Sequence, residues 1–144
     1  MADNAATAAA AASVSYNGKT HWMDGPGGRF VVRSELFQCY GLLRRLSLLN
    51  QETRNGSVTL RLPEALHPLT SEQYTLLLYS AIAEPDAVFV APLSYQDRYE
   101  EMYELFKAFE ASEAVMNKFQ IGWYRWQENK ARVARERLEA AAVC

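Results

Sequence analysis

The sequence predicts an α+β domain dominated by helices: three to four helices beside a small antiparallel sheet or hairpins, with a long bent helical region toward the carboxy end. Three observations predict it. Apolar residues recur at gaps of three and four over long stretches, they alternate strictly in one short stretch, and Asn-Gly pairs stand at 17–18 and 55–56, where a chain reverses most cheaply. With 144 residues, the chain is long enough for one domain to bury a sizeable core. Its 49% apolar and 22% charged residues are those of an ordinary globular protein, which argues against wholesale disorder.

Residues 1–13, "MADNAATAAAAAS", form an alanine-rich stretch with an acid at Asp3 and no basic flank. They read as a flexible tail rather than a signal or transit peptide, leaving 14–144 as the domain. In "SVSYNGKTHWM" the Asn17-Gly18 pair supplies the two positive φ angles of a type I′ turn. The hairpin it implies sets Val14 opposite His21 and Tyr16 opposite Lys19, a mixed face that predicts a peripheral hairpin. "DGPGG" at 24–28 then reads as a loop.

From Ser34, as N-cap, one helix is expected to carry Leu36, Cys39, Tyr40, Leu43 and Leu46 along a single face. "SVTLRL" at 57–62 alternates, turning Val58, Leu60 and Leu62 to one side as a half-buried strand, and Pro63 closes it. Thr70 with Gln73 has the offset of a capping box, opening a helix that Pro85 must end. "DAVFVAP" at 86–92 reads as a short buried strand. Ser94, with Asp97 three residues on, reads as the start of the next helix.

Between 95 and 141 there is no proline and a single glycine. Tyr99, Met102, Phe106 and Phe109 stand at gaps of 3, 4 and 3, and Met116, Phe119, Trp123 and Trp126 repeat those gaps, as in a helical seam. Joining the two runs inserts an extra step of three, so the region is expected to bend or break between Ala111 and Gly122. Beyond Trp126 the stripe thins to Val133 and Leu138 among charges, and 127–144 is expected to project from the body.

The net charge of −2 argues against generic nucleic-acid binding, but it is unevenly spread. Segment 29–61 carries six arginines and two glutamates, 62–117 ten acids and two bases, and 118–144 six bases and three glutamates. Such blocks attract one another, within the fold or across an interface.

No catalytic pattern emerges. The two histidines, His21 and His67, lack ligand spacing, and no Glu-x-x-His set accompanies Glu100, Glu101 and Glu104. "DGPGGR" lacks the Lys-Ser/Thr of a phosphate loop, and no serine has a G-x-S-x-G setting. Cys39 and Cys144 make no disulfide framework, and Cys39 reads as a small buried hydrophobe. No catalytic residue, cofactor or metal ligand is therefore expected.

The longest apolar run, "LLLYSAIA" at 76–83, is far short of the ~20 residues of a bilayer span. The expected setting is cytoplasmic or intracellular, or within a virion. The expected function is that of a non-enzymatic assembly, adaptor or structural subunit of a larger complex, whether cellular, viral or phage. It would bind a protein partner or its own copies through Phe119, Trp123, Trp126 and Val133. The alternative is nucleic-acid binding through Lys118, Arg125, Lys130, Arg132, Arg135 and Arg137. Phe119, Trp123 and Trp126 share one face of the helix while Arg125, Arg132 and Arg135 project largely away from it, which weakens that alternative, because a base-stacking surface needs its cations beside its rings.

Overall fold

The structure, a computed structural model, describes residues 15–25, 27–50, 55–66, 68–84 and 87–143. The expected tail, the Val14–His21 pairing, His67, Asp86 and Cys144 lie outside these residues. The fold class is α+β and helix-dominated, with a small sheet and a long carboxy-terminal helix.

The sheet is organised around β2 (Lys19–Gly25). Strands β1 (Ser15–Tyr16) and β3 (Gly28–Val31) pair with it antiparallel, while β4 (Ser57–Leu60) pairs with it in parallel. The first turn has the predicted geometry: Asn17 and Gly18 adopt φ 54° and 74°, and Tyr16 faces Lys19.

Two expectations fail here. The hairpin is central, not peripheral, since His21 and Met23 alternate into the core at 1% and 0% exposure. His21 can be buried because it enters as a neutral ring tilted against the stacked pair Tyr16 and Phe37, with Nε2 2.8 Å from Ser47 Oγ. The expected 24–28 loop is mostly strand: Asp24 and Gly25 end β2, and Gly28 begins β3.

Burial lowers the His21 pKa, the nearby Lys19 backbone partly opposing it, and Nδ1 has no hydrogen-bond partner among the described residues. The native state then binds a proton less readily than the unfolded chain. The His21 contribution to stability is complete above the unfolded value of about 6.5 and is lost progressively as pH falls below it toward the native value. The melting temperature is expected to drop between pH 7.5 and 5.5, and a His21→Gln variant should flatten that slope, as thermal scans across this range would show.

Helices α1 (Ser34–Cys39) and α2 (Gly41–Leu49) replace the single helix expected from Ser34. Arg33, not Ser34, holds the N-cap position, without a side-chain cap. The chain breaks at Tyr40, whose extended backbone (φ −125°, ψ 108°) pairs with Ala111. Further on, β4 buries Val58 and Leu60 as the alternation requires. Helix α3 (Ser71–Ile82) opens with the predicted capping box, Thr70 and Gln73 each accepting the other's backbone N–H.

The expected strand at 86–92 is absent from the described part, 87–92. Val88 and Val90 face solvent there, and Phe89 instead turns inward, edge-on to Phe106 and Phe119. Ser94 lies in a single 3-10 turn (Leu93–Tyr95), and helix α4 (Tyr99–Ala108) starts later than expected, with Arg98 at its N-cap.

Helix α5 runs from Glu113 to Val143. The break preceding it spans 109–112, at the amino edge of the expected window. Glu110, at φ 57°, takes the left-handed position usually given to glycine. Its N–H reaches Lys107 O, and Ala111 N–H reaches Phe106 O, closing α4 with paired carbonyl caps. Ser112 then caps α5, its Oγ accepting from Val115 N–H.

The two helix breaks are stitched together: Gly41 donates to Glu110 O, Leu42 to Phe109 O, and Ser112 to Cys39 O. Four helix ends are thus satisfied by one another, which explains why neither break falls where side-chain periodicity alone would put it.

Gly122 breaks nothing. It sits inside α5 because a Cβ there would lie 2.8 Å from Phe89 O and 2.9 Å from Phe89 Cβ. Alanine normally stabilises a helix by about 1 kcal/mol over glycine. At this position Gly122→Ala is expected to destabilise by roughly 1–3 kcal/mol, because the Phe89 backbone must give way. Chemical denaturation of the variant would check the sign.

Of the alternating charge blocks, one described ion pair spans two of them, Arg45 with Glu110. The other described pairs, Arg33–Glu35, Arg98–Glu101 and Arg132–Glu136, are local.

Candidate interaction surface

The aromatic stripe of α5 belongs to the protein's own core along its first half. Helix α4 returns antiparallel to it through the 109–112 turn, so Tyr99 meets Trp126 while Phe106 meets Phe119. Phe119 is 0% exposed, with the rings of Phe89, Phe106, Trp123 and Tyr99 between 5.2 and 6.0 Å away. It therefore presents no surface to a partner. Trp123 and Trp126 are half-buried against Tyr99, at 6.1 and 4.9 Å between ring centroids. The remaining face of Trp126 is covered by the Lys130 ammonium, 4.9 Å from the ring.

Val133, the fourth residue of the candidate set, stands apart from these three. From Gln127 to Val143 every residue is exposed except Val133, which is half-buried. This part of α5 extends ~25 Å at 1.5 Å per residue. It is a stretch of helix without a packing partner among the described residues, whereas most helical stability in proteins comes from packing of one face.

The candidate nucleic-acid residues are distributed unevenly. Lys118 is already used, its ammonium bonding the α3-terminal carbonyls of Ala83 and Glu84 at 3.0 and 2.8 Å. Arg132 bonds Asn129 and Glu136, and Lys130 lies on Trp126. Arg125, Arg135 and Arg137 are exposed, with Glu128, Glu136 and Glu139 interspersed. No continuous cationic track with adjoining rings results.

A surface that the sequence reading passed over lies opposite Phe119. Ile121 and Tyr124 are 53% and 61% exposed, and with Asn117, Gln120, Arg125 and Glu128 they form an open, shallow patch along one side of the helix. A hydrogen bond to the Glu128 carboxylate, and then its negative charge, raise the pKa of the Tyr124 hydroxyl. Farther along the same face stands Leu138, 71% exposed. The heptad gaps were legible in the sequence, but Glu128 and Arg135 interrupt the stripe and hid it.

Two further cavities open on the surface of the described residues. A cleft of about 420 Å³ gathers Tyr16, Arg44, Arg45, Ser47 and Glu110. Its polar groups satisfy one another: Arg45 pairs with Glu110, Arg44 donates to Phe37 and Gln38 carbonyls, and Ser47 bonds buried His21. The second, about 270 Å³, is an apolar hollow bounded by Leu76, Tyr79, Val88, Phe89, Val90 and Val115, with Lys118 at its side. Half-buried Cys39 lies against α3, its Sγ 3.8 Å from Ala81 O, and burial pushes its thiol pKa up. Among the described residues no three His, Cys, Asp or Glu side chains gather where they could hold a metal ion. Nor is any described helix long and apolar enough to cross a membrane.

Comparison with protein-family models, with curated proteins and with solved structures finds no match for this chain.

Proposed function

We propose that the protein is a non-enzymatic assembly or adaptor subunit whose partner-binding element is the distal half of α5, residues 127–143, together with the outer face that leads into it. One observation carries this reading: a 31-residue helix spends its first half completing the core and its second half exposed on every side but one residue. Tertiary packing is what usually stabilises a helix, so a long segment without it is most economically explained by a surface that supplies the packing from outside. The function is then to be held by, or to hold, another polypeptide in a larger assembly. The same economy extends to a cellular complex and to a viral or phage particle, which differ in the partner rather than in the device.

A chain ending after Trp126 tests the reading. In dilute solution it is expected to melt within about 0.5 kcal/mol of the full chain's stability, because the removed residues bury almost nothing. It should also lose whatever association the full chain has, measured by light scattering after size exclusion. A truncated protein destabilised as severely as a core mutant would mean that the distal helix serves the fold and not a partner.

A further inference from the structure

The outer face of α5 also constrains what the partner is. At alternating gaps of three and four it carries Ile121, Tyr124, Glu128, Ala131, Arg135 and Leu138, all exposed; at about 100° per residue Ile121, Tyr124, Glu128 and Arg135 lie on the side opposite Phe119, while Ala131 and Leu138 swing toward its flank, a drift that a left-handed supercoil takes up. This is a coiled-coil seam with a central alanine, apolar or aromatic residues toward both ends, and two charged residues of opposite sign. We propose that this seam pairs with the same seam of a second copy of the chain, antiparallel, making a two-helix coiled coil with the two bodies at opposite ends. The inference rests on the reading of distal α5 as a partner-binding element and names its occupant.

The charges choose the orientation. In a parallel pair Glu128 would face Glu128 of the second copy, and Arg135 would face Arg135, placing two like-charged layers in the seam. In the antiparallel register that sets Ile121 opposite Leu138, Tyr124 lies opposite Arg135 and Glu128 opposite Ala131. Glu128 then lies about 6 Å along the axis from Arg135 of the second copy, within reach of these side chains.

Two-fold symmetry repeats each contact, so both carboxylates gain an arginine and both tyrosine rings gain a guanidinium. The exposed apolar patch of Ile121 and Tyr124 packs against Leu138 of the second copy. On one flank Gln127 meets Ala134, small enough for close approach. On the other, Arg125 meets Arg132 of the second copy, a like pair that Glu128 partly offsets and that keeps the association modest.

The overlap, residues 117–142, is ~38 Å of helix. The main packing of each body lies on the Phe119 side of its own α5, with the Ala83 and Glu84 carbonyls held by Lys118 at the flank of the overlap, and the two-fold contact closes as a dimer and does not propagate.

The test is a charge exchange in the full-length protein. Glu128 and Arg135 are seven residues apart on one helix, too far to pair within a chain, so mutual rescue reports contact between copies. Sedimentation equilibrium across a dilution series is expected to reveal a reversible dimer. Glu128→Arg alone and Arg135→Glu alone should each raise its dissociation constant on the order of tenfold. The double variant should return it to near the original value, and Leu138→Glu should leave monomer. All three substituted positions are exposed, and circular dichroism verifies that each of the four variants is folded.

A strictly monomeric parent protein overturns the proposal, as does a dimer that the single substitutions leave intact or that the double variant does not restore. Hydrogen exchange separates this failure from failure of the underlying reading. A monomer whose 127–143 amides exchange freely rejects only the second copy as occupant, whereas a monomer with those amides protected rejects the partner-binding element as well.

Discussion

Replacing Phe119 with alanine is expected to cost about 3–5 kcal/mol of folding stability, the range for an aromatic ring removed from a closed core. The ring is 0% exposed and stands where three segments meet: α4 through Tyr99 and Phe106, the irregular 87–92 segment through Phe89, and α5 through Trp123. None of these segments can close the void alone, because Phe89 is held against Gly122 and the α4–α5 turn is tied to α1 and α2 by backbone hydrogen bonds. A fall in melting temperature on the order of 10 °C should follow. Trp126→Ala is expected to cost clearly less, since that indole is half-buried and capped by Lys130. The contrast matters for function: two neighbours on one sequence stripe should differ in stability without either altering self-association.

Tyr40→Ala is the second substitution expected to be severe, again by about 3–5 kcal/mol. Tyr40 is fully buried, packs edge-on against Phe109, and donates its hydroxyl to Leu77 O at 2.7 Å. It also forms the extended joint between α1 and α2 that pairs with Ala111. Tyr40→Phe keeps the ring and the joint and should cost only about 1 kcal/mol, the net worth of one hydrogen bond, since the Leu77 carbonyl lies inside α3. Burial raises the hydroxyl pKa far above its ordinary value, so the native state resists ionisation. Denaturant titrations of the two variants would separate packing from hydrogen bonding.

Where periodicity and capping chemistry act locally, the sequence was a good guide. The Asn17-Gly18 turn, the alternation from Ser57 and the Thr70–Gln73 box depend on residues within a few positions of one another, and each formed as its residues dictate, although the strand expected over 57–62 stops at Leu60. The misses were all settled by distant contacts. Tyr40 breaks a helix that its own neighbours would continue, because Ala111 and Glu110 supply the backbone partners. Val88 and Val90 have strand propensity, yet their segment is fixed by Phe89 against Gly122. Gly122 resembles a hinge in sequence and is instead a point of close approach. Glu110 gave no local sign that it would adopt the left-handed conformation that ends α4.

The candidate surface was legible only in half. The stripe Phe119, Trp123 and Trp126 was visible by its spacing, but spacing does not say whether another part of the same chain covers it, and α4 does. Ile121, Tyr124 and Leu138 have the same spacing on the opposite face, broken by Glu128 and Arg135. Those charged residues looked like an ordinary solvated surface until the exposure of the apolar positions between them was known.

The central claim is that α5 is one helix with two destinations, the first half serving the fold and the second serving a partner. Residue-resolved hydrogen exchange on the full chain at high dilution tests it most directly. The account predicts that amides from Val115 to about Trp126 exchange only through global unfolding, whereas those from Gln127 to Val143 exchange orders of magnitude faster and slow as the protein is concentrated. Uniform protection of the whole helix in a dilute monomer would contradict it.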